Sequence, residues 1–411
     1  TAPAPTWHQD VAPIVLTYCA ECHGAGGIGP FPLRTAEEVR RMGSSVVAAV
    51  ESRSMPPWQA APGRIEYRFD ESLTDAQIAT LQAWLAAGGP EGDPDSAAPP
   101  LERERSELSR VDFQTGMPAL YRPIGRPDDY RCFILEWPFD AERFVTGFAV
   151  LPGNPRMAHH ASVYVFGPEN AARVDQMDAD DPETGYACYG APYVGSPVNM
   201  QFLGAWAPGG AGFDFPEGTG IRVRPGSRMV LQMHYNSGES MPAPDRTEVA
   251  FRLDDSVADE AWILPWFDLD WVLRLDTMRI PAGETGVEHV FEGDPSNAAI
   301  ARFVLPGLDL SRGLVLHQVA PHMHTRGVRI HAEAIRGDGA ETPLLDIPRW
   351  DYDWQRTYTF AQPVSVSPGE QLRMGCRWDN DAPDAIDRTW GESSDDEMCA
   401  VTFYVTLPAA R

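Results

Sequence analysis

The chain has 411 residues, 43% of them hydrophobic and 22% charged, enough for two or three domains with sizeable cores. Its 33 basic and 59 acidic residues leave a formal net charge of −26, which argues against nucleic acid or an anionic membrane surface as a partner. No apolar run approaches the roughly 20 residues of a membrane-spanning helix, and a start at Thr1 rather than methionine fits a processed or truncated product.

Residues 1–90 read as a small α-helical domain. A helix over Val11 to Tyr18 is expected to run into Cys19-Ala20-Glu21-Cys22-His23. Thr35 and Glu38 form a capping box, followed by Val39, Met42, Val46, Val47 and Val50 at helical spacing. Thr74 and Gln77 form another, with Ile78, Leu81 and Leu85 on one face and Gly88-Gly89 as a stop. Two thiols three residues apart can attach to the vinyl groups of a haem, and His23 then reaches the iron. A redox or zinc Cys-x-x-Cys is the plainer reading, but it leaves the adjacent histidine unexplained. The domain resembles small cytochromes c. In that family a carbonyl of a proline loop, here around Pro30, accepts the ring N–H of the ligand histidine. Met55, in the rigid Arg53-Ser54-Met55-Pro56-Pro57-Trp58 loop, is expected as the sixth ligand, a thioether that raises the potential. His8 or an open position are the alternatives, and Met42, in phase with Val39 and Val46, is assigned to the core.

Residues 91–110 read as a linker rich in Pro, Gly, Asp, Ser and Ala. Beyond it the texture is strand and turn, with β-sandwich the expected architecture over 111–257 and 258–411. Phe144 to Val150 and Ala161 to Phe166 read as consecutive strands. Arg222 to Arg224 and Met229 to Tyr235, about Pro225-Gly226, read as a hairpin. Asp254 to Glu260 reads as a domain junction. Later strands are expected at 301–305, 314–320, 326–334, 371–378 and 399–406. Cys132, Cys188, Cys376 and Cys399 form an even set that suggests disulfides and an oxidising compartment, with three pairings open.

The histidines of these strands carry the chemistry. In His322-Met323-His324 the two imidazoles share a strand face and can address one ion. On 229–235, His234 shares a face with Val230 and Gln232, opposite Met229, Leu231 and Met233. His159 and His160 are adjacent, so both reach one ion only if the backbone is irregular there, as at a bulge. Each feature alone is more often structural than ligating. Met398, after the acidic Asp395-Asp396-Glu397, is placed at a rim; its plainer reading is a core methionine. A thioether with two imidazoles favours Cu(I), whereas zinc more often takes cysteinate or carboxylate. His289 and His331 are assigned no role, His317 a structural or neighbouring one, and Met374 a place in the core.

Residues 125–411 resemble the copper type II, ascorbate-dependent monooxygenases, the family of peptidylglycine α-hydroxylating monooxygenase and dopamine β-monooxygenase. The segments that carry the resemblance are colinear: Tyr130-Arg131-Cys132, Met157-Ala158-His159-His160, Gly204-Ala205-Trp206-Ala207, Gln232-Met233-His234-Tyr235, His322-Met323-His324 and Ser394 to Cys399. The resemblance implies two nine-stranded jelly-roll-like sandwiches with one copper each. One copper would take His159, His160 and His234 and pass electrons. The other would take His322, His324 and Met398, bind O2 and face the substrate across a solvent-filled cleft. Tyr130 and Gln232 are expected to back the first site. Disulfides Cys132–Cys188 and Cys376–Cys399 are also implied. The positions that anchor a substrate carboxylate in peptide-hydroxylating members hold Ala320, Ala400 and Thr402 here, which speaks against a peptidylglycine substrate.

The reading is therefore a multidomain chain: an all-α cytochrome c domain with one covalent haem, then two all-β sandwiches with two copper ions. It would hydroxylate a C–H bond of a small substrate with O2. Electrons would come through the haem and from ascorbate or a donor protein, in the periplasm or outside the cell. The rival is a non-catalytic copper- and haem-binding electron carrier or copper-handling protein. A zinc hydrolase is disfavoured, because no general-base carboxylate sits at metal-ligand spacing.

Overall fold

A computed structural model of the protein describes residues 3–409 apart from 25–26, 125–127, 191, 193–199, 208–209, 211, 237–242, 300, 302–304 and 306–307. The chain divides into two compact units, one of residues 1–62 and 68–105, the other of residues 63–67 and 106–411. No described helix is long and apolar enough to cross a membrane.

The first unit holds the short helices Ala12–Tyr18, Ala36–Arg41, Gly43–Glu51 and Asp75–Ala86. Both capping boxes form: Thr35 and Glu38 exchange side-chain and backbone hydrogen bonds, as do Thr74 and Gln77. Each box satisfies two amides that the first helical turn leaves without partners. The helix expected to run through Val39 and Val50 instead breaks at Met42 (φ −97°, ψ 7°). Gly43 follows, a poor helix former, and a Cβ there would come within 3.1 Å of Leu85. The break therefore lets the second segment lie close against Asp75–Ala86. Val11, Val15, Val39, Val50, Leu81 and Trp84 make the core, with Met42 packed at its edge. The stretch read as a linker packs on this unit as far as residue 105: Leu101 N donates to Thr17 Oγ1 at 2.8 Å.

The second unit is built of β-sheets. A five-stranded sheet runs in the order Tyr186–Ala187, Asp128–Leu135, Arg228–Asn236, Ala158–Phe166, Met200–Trp206. A four-stranded one runs Glu284–Gly293, Gln371–Asn380, Gly327–Ile335, Glu341–Ile347. Between these halves a nine-stranded sheet is continuous. Its main path is Phe113–Gly116, Glu248–Asp254, Arg143–Leu151, Thr219–Val223, Asp259–Trp266, Ala400–Thr406, Leu314–His322, Tyr358–Val366. The two halves expected as sandwiches are joined at one point: Asp259 and Glu260 pair in parallel with Thr219 and Gly220, so one sheet runs on across the junction. Alternate residues explain the layering. Met229, Leu231 and Met233 of one sheet and Val145, Ile221 and Phe251 of the other enter the same core.

Two sequence expectations fail here. Thr219–Val223 and Arg228–Asn236 do not form a hairpin, because each pairs within a different sheet. The Pro225-Gly226 turn carries the chain across the sandwich, and the inward faces of both strands meet in the core. The strands expected over 144–150 and 161–166 do form, consecutive in the chain and in opposite sheets. In the expected strand 301–305, Ala301 is helical and residues 302–304 lie outside the described ones. The helix Ala171–Asp180, which covers the outer face of the five-stranded sheet with Val174, was not anticipated.

One buried acid in this unit has no compensation. Glu333 Oε2 is inaccessible and without a hydrogen-bond partner, with His331 Nε2 at 3.9 Å. Burial pushes its pKa up to about 7, with Arg373 only partly opposing. A raised folded-state pKa means the folded chain favours the proton, so stability falls as pH rises from about 4.3 through 7. Glu333→Gln, neutral throughout, is expected to be about 1–3 kcal/mol more stable than the parent at pH 8 and equal to it near pH 4. Urea unfolding at the two pH values measures the difference.

Candidate metal centres

His159 and His160 lie on Ala158–Phe166, and His234 on its neighbour Arg228–Asn236. The register shifts between Ala158 and His160, so His160 pairs with His234 while His159 sits in the bulge without a partner. That irregularity lets adjacent histidines face one point. His160 Nδ1 lies 3.2 Å from His234 Nδ1 and 3.4 Å from His159 Nδ1. The three residues form the metal-competent cluster found among the described residues.

The proton positions follow from the outer partners. Asp128 Oδ1 lies 2.8 Å from His234 Nε2 and can only accept, so Nε2 carries the hydrogen and Nδ1 offers its lone pair to the cluster. Burial alone would raise the Asp128 carboxyl, but hydrogen bonds from His234, Ser394 and Asn236 outweigh it and bring it down to about 2. Burial also lowers His159 to about 4 and His160 well below its usual range, with the neighbouring histidines adding to the effect. The His159 and His160 rings are thus held in the neutral form that ligates. Nitrogens spaced by 3.2–3.4 Å match ligands around one first-row ion at about 2 Å. Tyr130 stacks on His234 with ring centroids 4.2 Å apart and planes 6° off parallel. Gln232 instead turns its amide to the carbonyls of Cys188 and Gly190, at 2.9 and 3.0 Å, and so supports that loop.

The second group sits where Leu314–His322 ends against Ala400–Thr406, with His322 opposite Ala400 and Ala320 opposite Thr402. The rings of His322 and His324 are 5.1 Å apart. His322 Nδ1 donates to Gln355 Oε1 at 2.7 Å and His324 Nδ1 to the Asp396 carbonyl at 3.2 Å, which leaves both Nε2 atoms as acceptors. Burial lowers the pKa of both, His324 to about 3 with His322 contributing. Met398 directly precedes Cys399 and is buried rather than set at a rim. The loop that carries it is fixed by Glu397, which is fully buried. Its carboxylate accepts from His324 N (3.1 Å), Arg326 N (2.6 Å) and Trp378 Nε1 (2.9 Å). Met374 is buried in the core, and His317 bonds Thr406 Oγ1 at 2.9 Å, a structural role.

The disulfides are Cys132–Cys188 and Cys376–Cys399. The second closes a span of 23 residues that ends beside Met398. Replacing both of its cysteines by serine is expected to cost about 3 kcal/mol of stability. Metal affinity at His322, His324 and Met398 should fall while that at the first cluster holds. Denaturant unfolding and metal titration of the double variant read both effects.

The two clusters lie close together: the His160 and His322 ring centroids are 6.4 Å apart. Tyr352 lies against both, stacked on His159 at 4.6 Å and edge-on to His324 at 6.2 Å. Asp128, Tyr352, Gln355 and Glu397 escaped the sequence reading. A signal existed for Asp128, which shares a strand face with Tyr130. None existed for Tyr352 and Gln355, which lie in a loop.

In the first unit, Cys19, Cys22 and His23 follow the helix Ala12–Tyr18, with neither cysteine in a disulfide and both half-buried. His23 Nδ1 donates to the Phe31 carbonyl at 2.8 Å, one residue beyond the Pro30 expected, and so presents Nε2. Burial pushes the Cys19 thiol up to about 12, with Cys22 adding to it, the reverse of a redox-active Cys-x-x-Cys. Met55 is half-buried in the turn after Gly43–Glu51, its amide bonded to the Ala49 carbonyl at 3.2 Å. His8 lies in the turn Trp7–Val11.

Facing sheets that present a metal-competent histidine triad, with a second pair of histidines beside it, fit a metal-binding protein. The chain belongs to the copper type II ascorbate-dependent monooxygenase family: residues 113–242 match its N-terminal domain and 305–408 its C-terminal domain. The human putative DBH-like monooxygenase protein 2 is 21% identical over 292 residues, covering 68% of this chain and 54% of that protein. The chain thus spans about half the length of this curated relative. Solved structures give only slight likenesses. Allantoicase is 13% identical, with 70% of this chain and 80% of that one covered, at a TM-score of 0.17. The infectious bursal disease virus VP2 subviral particle is 10% identical, with 76% and 74% covered, at 0.19. Neither carries an argument about this chain.

Proposed function

We propose that the protein is a dicopper monooxygenase that hydroxylates a C–H bond of a small substrate with O2, drawing electrons through a c-type haem in its own chain, from ascorbate, or both. The carrying observation is the convergence of three imidazoles, with His160 Nδ1 3.2 Å from His234 Nδ1 and 3.4 Å from His159 Nδ1, a donor set that fits copper. Residues 1–90 would form the haem domain, 91–110 a linker, 111–257 the sandwich of the first copper and 258–411 that of the second. His159, His160 and His234 hold the first ion; His322, His324 and Met398 hold the second. Bound copper supplies one-electron redox chemistry and O2 binding, and the haem an electron store. Cys19 and Cys22 would attach the haem, His23 would ligate it with its ring fixed by Phe31, and Met55 would be the sixth ligand.

The protein's own residues set the rest. Asp128 and Gln355 hold His234 and His322 as the tautomers that ligate. Ala320, Ala400 and Thr402 form a small, uncharged wall beside His322, which suits a substrate without a carboxylate. The proximity of the His160 and His322 rings favours a second reading, an electron carrier that needs no substrate gap.

Elemental analysis after copper loading tests the assignment, with two coppers and one iron per chain expected. Reduced haem should be oxidised by O2 only in the copper-loaded protein, and O2 uptake should require substrate. Tight zinc in place of copper would overturn the reading. Two coppers without coupled O2 uptake on any substrate would leave the carrier.

A further inference from the structure

The three ligands of the first cluster are not held equally. His234 is gripped by Asp128 at its outer nitrogen and by Tyr130 on its face. His160 is fixed by its backbone register opposite His234 and by a ring contact with it at 4.5 Å. His159 sits in the bulge with no cross-strand partner. Among the described residues its ring makes no hydrogen bond beyond the cluster, and its aromatic contact outside it is Tyr352, 4.6 Å away and 24° from parallel.

Tyr352 does not come from the five-stranded sheet that carries these histidines. It lies in the loop between Glu341–Ile347 and Tyr358–Val366. That loop is held to the second group. Trp350 Nε1 donates to the His324 carbonyl at 3.2 Å, and Gln355 Oε1 accepts from His322 Nδ1 at 2.7 Å. Gln355 Nε2 in turn donates to the Tyr352 carbonyl at 3.1 Å, which ties the stacked residue to the one that orients His322. One short loop therefore touches a ligand of the first cluster and both histidines of the second.

We propose that Tyr352 is the positioning residue for His159, so that the first metal site is completed by a loop belonging to the second. This rests on the dicopper reading. An aromatic face is suited to the task, because it fixes the plane of a neutral imidazole without competing for its nitrogens. A partner that orients a ligand typically changes metal affinity by about 10- to 100-fold. Since Tyr352 supplies a face and no hydrogen bond to the ring, the lower end is expected.

The test is copper titration of the full chain against a competing chelator, with electron paramagnetic resonance of the cupric form to tell the three-histidine site from the histidine–methionine one. Tyr352→Leu keeps apolar bulk and removes the flat face; Tyr352→Phe keeps the face and removes the hydroxyl. Tyr352→Leu should bind the first copper about 10-fold more weakly, with an altered hyperfine pattern at that site. Tyr352→Phe should match the parent, and thermal unfolding of the apo forms should be alike. First-site affinity and spectrum unchanged in a folded Tyr352→Leu protein would overturn the proposal while leaving the dicopper reading intact. A parent chain that binds fewer than two coppers would defeat that reading, and the proposal with it. Equal losses in the Leu and Phe variants would also overturn it, by placing the effect in the hydroxyl.

Discussion

Replacing Glu397 by glutamine is expected to empty the second metal site and leave the first loaded. Glu397 is fully buried, and its two oxygens accept from the amides of His324 and Arg326 and from the indole of Trp378. Those donors lie on two pieces of chain, the turn after the strand that carries His322 and the strand Gln371–Asn380, while Glu397 itself lies on a third, the loop leading to Met398. The carboxylate is thus the node at which the histidines and the methionine are brought to one place. Burial raises its pKa to about 7, although the N–H donors oppose the rise. A glutamine keeps the volume but turns one acceptor into a donor, so at least one inward-pointing N–H meets another. Leaving a buried donor unsatisfied costs about 1–3 kcal/mol, and a loosened outer partner weakens metal binding by about 10- to 100-fold. The measurement is copper per chain after dialysis against a chelator, together with urea unfolding of the apo protein. Two coppers retained at parental affinity would mean that Met398 and the histidines are placed without Glu397.

How far all this could be read beforehand depends on the range of the forces involved. The capping boxes at Thr35 and Thr74 are local, and both form as the spacing dictates. The bulge at His159 was legible because two adjacent residues on a regular strand cannot face one ion. The inward phase of Met229, Leu231 and Met233 followed from alternation alone. Sheet membership did not: Pro225-Gly226 reads as a hairpin turn whether the next strand pairs back or crosses to the other layer, and the shared core decides it. The break at Met42 depends on Gly43 meeting Leu85, a residue of another helix. The residues that orient the metal ligands are the hardest case. Glu397 reads from sequence as one of three successive acids before Met398, and only its three donors from elsewhere make burial tolerable. Tyr352 and Gln355 reach the clusters from a loop without periodicity, so no pattern marks them. The two groups of candidate ligands were nonetheless visible as sets, because few side chains can hold copper; His159, His160, His234 and His322 stand on strands, and His324 and Met398 lie two residues beyond a strand end.

His234→Ala should lower copper from two per chain to one and abolish coupled turnover, and it tests the first cluster at its most constrained member. His234 is inaccessible to solvent, hydrogen-bonded to Asp128 at one nitrogen and in contact with His160 at the other. Removing the ring leaves two nitrogens where three converged, and affinity at that site should fall by at least about 100-fold, beyond what the loss of an outer partner alone produces. The Asp128 carboxylate would lose one of the three hydrogen bonds that bring its pKa down to about 2, while those from Ser394 and Asn236 remain. Since Ser394 lies four residues before Met398, the same carboxylate touches both centres, and its donors from Asn236 and Ser394 should keep the fold intact. The second copper should therefore stay, with the cupric spectrum of a histidine–methionine site unchanged. Under the monooxygenase reading, electrons then reach O2 only slowly and without product. Elemental analysis, the paramagnetic spectrum and substrate-dependent O2 uptake of this one variant separate the outcomes. Loss of one copper with loss of uptake supports two cooperating centres. Loss of one copper with parental uptake would confine the chemistry to the second site. Loss of both coppers would show that the sites load as one.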